Sequence, residues 1–244
     1  MAHRTRNLAA TAATLAVAGC AQLPAVPFHG DTLLDQTRTA LDTRPQRVEL
    51  APAARPTLQR GDTFVFGRSA VTRVAATSAQ TLTWTLPDGR SLRSPRDFFA
   101  PALSAEHPGY RVDSTIDGDP SALWPLAAGK RVSFGETRRT TWAETGHVSE
   151  ARRRWDCEVV DARVSFVPAG DFATWHVRCS AFSPNFPQPL QTVTWDYAPS
   201  LGHYVRRTWF ADRRQREVML SAALPGKAAT PARIEAVLAR LAAE

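Results

Sequence analysis

Lysine is nearly missing from this chain. Lys130 and Lys227 are its only two, so a formal net charge of +7 rests almost wholly on arginine. The simplest source of that bias is the codon usage of a GC-rich genome. Cysteine is scarce too, with three residues and no Cys-x-x-Cys pair. His107, His147, His176 and His203 are scattered, without paired spacing, so the common zinc arrangements have nothing to build on. There is no Walker loop and no Gly-x-Gly-x-x-Gly fingerprint, which removes the usual nucleotide-binding classes. No Gly-x-Ser-x-Gly elbow marks a hydrolase nucleophile. The N-terminal apolar stretch, Leu8 to Ala18, is too short to cross a bilayer as a stop-transfer helix.

What is present points to β-structure. The chain has 244 residues, 43% hydrophobic, enough for one full core or two small domains. Its 18 prolines and 7 tryptophans accompany an apolar pattern of mostly period 2. The clearest stretch is Trp155 to Cys179. Trp155, Cys157 and Val159 alternate with polar residues, as do Trp175, Val177 and Cys179. A turn at Pro168-Ala169-Gly170-Asp171 folds the two strands together and brings Cys157 opposite, or nearly opposite, Cys179. A disulfide there would pin the register; two buried free thiols, or half of a metal site, are the alternatives.

In chain order, the composition divides as follows. Residues 1–19 read as a signal peptide, and 20–60 as a tether with a short helix over 31–41 and a Pro/Ala/Arg linker over 43–60. Residues 61–103 read as a small β-meander, with Pro87-Asp88-Gly89 as a hairpin turn and Asp97-Phe98-Phe99 as an apolar plug. Residues 104–226 read as an antiparallel β-domain that begins with a loop over 104–122. Asp113, Asp117, Gly118 and Asp119 in that loop place Gly at the sixth position of a calcium loop, but Trp124 stands where a bidentate Glu is needed. Turn chemistry accounts for these residues instead. In 227–244, Thr230 caps a helix, Pro231 opens it, and Ile234, Val237, Leu238 and Leu241 share one face. The fold expected is mainly β: a curved antiparallel sheet or half-barrel, with the N-terminal meander and a C-terminal helix.

Two resemblances carry the address. Arg4, Arg6, the apolar run and Leu15-Ala16-Val17-Ala18-Gly19-Cys20 resemble a bacterial lipobox. By that resemblance Cys20 becomes the lipidated N-terminus, and the two or three acyl chains anchor the protein stably. Ala21, where Asp would favour inner-membrane retention, implies the periplasmic face of the outer membrane. Loss of Arg4 and Arg6 with residues 1–19 takes the charge from +7 to +5. An oxidising periplasm permits the Cys157–Cys179 disulfide. The second resemblance covers about 123–222. Leu-Trp-Pro-Leu-x-x-Gly at 123–129, Val-Pro-Ala-Gly-x-Phe at 167–172 and Tyr-Ala-Pro-x-Leu-Gly at 197–202 resemble a family of uncharacterised bacterial periplasmic proteins and lipoproteins. Asp171 stands where that family commonly has Thr. The resemblance implies a curved sheet like those of lipoprotein-carrier domains, and it implies no activity. Pro168, Gly170, Pro199 and Gly202 are turn residues by chemistry.

For function, the expectation is a non-catalytic lipoprotein without cofactor or metal, held to the membrane through Cys20. It would bind a lipid-like ligand or an envelope protein, and not nucleic acid. The alternative is a structural protein touching peptidoglycan or lipopolysaccharide through arginines. Arg152, Arg153, Arg154, Arg206 and Arg207 are the candidate anion-binding residues, if they share a face. A hydrolase built on Ser200, His203 and Asp196 is a weaker reading, because the three lie on or beside a turn.

Overall fold

The computed structural model describes residues 46–211 and 213–243. The signal peptide, Cys20 and the helix read over 31–41 lie outside these residues.

Twelve antiparallel strands follow one another. They are β1 Thr63–Phe66, β2 Ala70–Thr77, β3 Thr81–Thr85, β4 Ser91–Pro95, β5 Ser104–His107 and β6 Tyr110–Asp117. Then come β7 Arg131–Trp142, β8 Val148–Val167, β9 Gly170–Phe182, β10 Pro189–Ala198, β11 His203–Ala211 and β12 Arg214–Leu224. Each pairs with its neighbours in sequence, and β1 also pairs with β12, so the sheet closes into a barrel. The half-barrel expectation is therefore corrected. An open sheet would leave two edges of unpaired N–H and C=O groups. Pairing Thr63 to Phe66 against Leu220 to Leu224 removes both. The strands of the 61–103 meander are thus staves of the same wall as those that follow.

The central hairpin is β8 and β9. Cys157 and Cys179 face each other directly in its register and form the disulfide, with Cα atoms 4.0 Å apart. The turn is Pro168-Ala169, and Gly170 has φ 125°, open to glycine because no Cβ clashes there. Gly202 does the same at φ 63° between β10 and β11. A bulge between Val159 and Asp161 bends β8. Beyond it the hairpin leans on the last strands: Ala169 N donates to Leu220 O at 3.0 Å, and Arg206 Nη2 to Phe166 O at 2.7 Å.

Two other expectations change. Residues 104–117 are not a loop but the β5–β6 hairpin, followed by a short 3-10 helix at Pro120–Leu123. Asp119 caps that helix by accepting from Ser121 N at 2.9 Å, and Asp113 takes the Arg111 guanidinium at 2.9 Å. The described part of the linker, 46–60, is laid onto the barrel. Val48 N donates to Ala162 O at 3.1 Å, and Ala53 and Leu126 exchange backbone bonds at 3.0 and 2.8 Å. The part of β8 beyond β7 has a free edge there, and these residues cover it. The C-terminal helix α1, Pro231–Ala243, keeps its expected face: Leu241 is buried, Ile234, Val237 and Leu238 are half-buried, and its other described residues are exposed.

A twelve-stranded barrel encloses more room than its own inward side chains fill. Two connections supply part of the filling. Phe98 and Phe99, after β4, and Leu123, Trp124 and Leu126, before β7, pack against the inward residues of β7 to β10. Phe98 stacks on Tyr197 with centroids 5.0 Å apart and planes 3° from parallel. The Asp97-Phe98-Phe99 segment is a plug in the literal sense.

Candidate functional site: the barrel cavity

Beside the plug the barrel stays open, with a cavity of about 420 Å³. Alternation along each strand decides what lines it. Leu82 and Trp84 come from β3, Leu92 from β4, Ala105 from β5, Val112 and Ser114 from β6. Glu136 and Arg138 come from β7, Arg153 and Trp155 from β8, Val193 and Trp195 from β10, and His203, Tyr204 and Arg207 from β11. Apolar side chains thus form much of the wall, and the charged ones come from β7, β8, β11 and, as Arg96 and Asp97, the connection after β4.

Three of the polar groups are satisfied by the protein itself. Glu136, 4% exposed, accepts from Ser114 Oγ at 3.0 Å and from Trp155 Nε1 at 2.8 Å. Asp97 accepts from Trp124 Nε1 at 2.8 Å and pairs with Arg55 at 2.6 Å. Burial pushes the Asp97 carboxyl above its ordinary value despite those partners. His203 stacks on Phe64 at 3.9 Å, and its Nδ1 lies 2.9 Å from Tyr204 O, so that nitrogen carries the proton. Burial pushes its pKa down to about 4, which keeps the ring neutral at physiological pH.

Arg207 and Trp195 are different. The Arg207 guanidinium lies over the Trp209 ring at 4.4 Å and the Trp195 ring at 5.5 Å. Burial lowers its pKa, with Tyr204 acting the other way. Its Nε and the indole Nε1 of Trp195 are both shut off from solvent and have no hydrogen-bond partner in the protein. A buried donor without an acceptor costs about 1–3 kcal/mol.

The five arginines read as one surface are split. Arg153 and Arg207 line the cavity. Their strand neighbours Arg152, Arg154 and Arg206 fall on the opposite face, because adjacent residues alternate. There they meet carboxylates: Arg152 lies 3.6 Å from Glu150, Arg154 3.0 Å from Asp156, and Arg206 3.8 Å from Asp196. Arg154 also covers the Phe182 ring at 5.0 Å.

The Ser200–His203–Asp196 reading also separates. His203 is in the cavity wall, whereas Asp196 is on the other face of β10. Asp196 is 5% exposed, lies 2.7 Å from His176 Nδ1 and accepts from Ser165 Oγ at 2.8 Å. Burial pushes its carboxyl up, but His176, Ser165 and Arg163 outweigh that and hold it below the ordinary value. Ser165 lies in the far half of the β8–β9 hairpin, so this network fastens the hairpin to the wall. No local signal in the sequence hints at it, since Ser165 and Asp196 are 31 residues apart.

No protein-family model matches the chain, and no curated protein matches it in sequence. Solved structures do. The hypothetical lipoprotein YmcC from Escherichia coli K12 is 12% identical, with a TM-score of 0.47 over 79% of this chain and 97% of that one. A candidate exported protein with a YmcC-like fold from Bacteroides fragilis is 13% identical, with a TM-score of 0.38 over 70% of this chain and 99% of its own. A candidate lipoprotein from Parabacteroides distasonis is 13% identical, with a TM-score of 0.38 over 71% and 100%.

Proposed function

We propose that this protein is a lipid-anchored envelope lipoprotein that binds an apolar, lipid-like molecule inside its barrel and does no chemistry on it. The cavity carries the reading. A barrel with a plug of its own chain has the means to fill its interior, yet about 420 Å³ is left open between aliphatic and indole side chains. That volume lies in the range of small-molecule sites, which are mostly apolar with a few placed polar groups. The lipobox at Cys20 supports the envelope address, and the Cys157–Cys179 disulfide agrees with an oxidising compartment.

The test is photo-crosslinking of the full chain in membranes with a diazirine-bearing fatty alcohol, followed by peptide mapping. Label is expected on strands β3 to β6 around Leu82, Leu92 and Val112, and is expected to fall sharply in Ala105→Trp, which fills the cavity. Label confined to the outer surface, unchanged by that substitution, would overturn the reading. Mass spectrometry of the same sample checks the anchor: Cys20 is expected to be the acylated N-terminus.

A further inference from the structure

We propose that the cavity's occupant is an anionic amphiphile, its head accepting hydrogen bonds from Arg207 and Trp195 and its chain running along Leu82, Trp84 and Leu92. This rests on the binding function above and names the ligand's class.

The orphaned donors carry the inference. Four buried side-chain nitrogens among the described residues lack a partner: Arg55 Nε, Trp195 Nε1, Arg206 Nε and Arg207 Nε. Arg55 and Arg206 belong to guanidiniums that already face Asp97 and Asp196. Arg207 and Trp195 have no such carboxylate among their ion pairs, and both line the cavity. Buried polar groups are nearly always bonded, so two donors at one wall call for an acceptor. Neither N–H can accept, which excludes a head that only donates.

The charge around them points the same way. The lining holds Arg96, Arg138, Arg153 and Arg207 against the carboxylates of Asp97 and Glu136. Arg96 is bound to the backbone at Ser78 and Pro56, and Arg55 answers Asp97. Glu136 is taken by Ser114 and Trp155. Arg138, Arg153 and Arg207 thus leave the lining with unanswered positive charge alongside the apolar Leu82, Leu92, Ala105 and Val112. An apolar chain with a carboxylate or a phosphate monoester at its end satisfies both. The stacking of Arg207 on two indoles holds its planar fork ready for such a group.

The experiment compares three diazirine probes of one chain length on the full chain in membranes: the alcohol, the carboxylic acid and the alkyl phosphate, with concentrations counted in the membrane phase. At least one anionic probe is expected to label the cavity peptides at about tenfold lower concentration than the alcohol. Which anion gains tells carboxylate from phosphate. Arg207→Gln and Trp195→Phe are expected to shrink that advantage, read as the ratio of anionic to alcohol labelling within each variant. Trp195→Phe keeps the ring and removes only the N–H, so it decides the matter if Arg207→Gln does not fold. Equal labelling by all three probes, or an anion advantage untouched by Trp195→Phe and Arg207→Gln, would overturn this inference and leave apolar binding standing. No cavity labelling by any probe would sink both.

Discussion

Leu82 and Leu126 are the same residue, 3% and 0% exposed, in two halves of one barrel interior. Leu126 is embedded among Phe99, Leu123, Phe134 and the inward side chains of β8 to β10. Leu82 belongs to neither packed cluster and borders the cavity. The polar groups of the cavity wall differ too. Asp97 is answered by Trp124 and Arg55, from the chain before β7 and from the 46–60 segment. Arg207 Nε and Trp195 Nε1 are answered by nothing in the chain. Burial alone therefore does not mark a core. What separates the halves is whether the chain returned to fill the space the strands enclosed.

The comparison can be broken most directly with the two leucines. Leu126→Ala is expected to cost about 4 kcal/mol, because a new cavity opens in packed surroundings, and Leu82→Ala about 2, because one side already faces open volume. Urea denaturation of both variants measures the difference, and equal losses would mean the two halves pack alike.

Next in size is the disulfide, which ties β8 to β9 within the packed side. The Cys157→Ala, Cys179→Ala double variant is expected to lose roughly 3 kcal/mol in the chain-entropy model. The same denaturation reads it, and an unchanged midpoint would remove the disulfide from the fold's support.

His203 sharpens the open side through pH. Its folded pKa is about 4 against 6.5 in the unfolded chain, so between those values the unfolded state binds more protons. Its contribution is fully present above pH 6.5 and is lost as pH falls toward about 4, a decline of roughly 3 kcal/mol. In His203→Phe that part of the decline is expected to disappear from a stability–pH profile; a profile unchanged in slope would show the ring is not kept neutral by burial.

The smallest effect belongs to the outer face. Arg154→Ala removes an exposed ion pair and a ring contact, and is expected to cost under about 1 kcal/mol. A larger thermal shift there than for Leu82→Ala would contradict the inside–outside assignment.

Local patterns made much of this architecture readable. Period-2 alternation marked the Trp155–Cys179 hairpin and its inward face, and Pro168, Gly170 and Gly202 marked turns that the backbone does make. The arginines show where reading stopped. Arg206 and Arg207 are adjacent in one strand, so alternation alone puts them on opposite faces. Grouping them by charge overlooked that rule. Arg207 was among the anion-binding candidates; what the fold adds is that it lies on the cavity face beside Trp195 and Trp209.

The sequence by itself determined most of the strands, the β8–β9 hairpin with its facing cysteines and the amphipathic C-terminal helix, because each depends on residues within a few turns or one hairpin of one another; it did not reveal the β5–β6 hairpin. Tertiary structure decided the closure, since β1 meets β12 across more than 150 residues and a four-residue strand carries no signal of its partner. It also decided that Phe98 and Phe99 enter the barrel while Arg207 and Trp195 are left with buried N–H groups that no part of the chain answers. Which volume a distant segment fills is fixed only once the wall has closed around it, and the cavity is what that filling leaves.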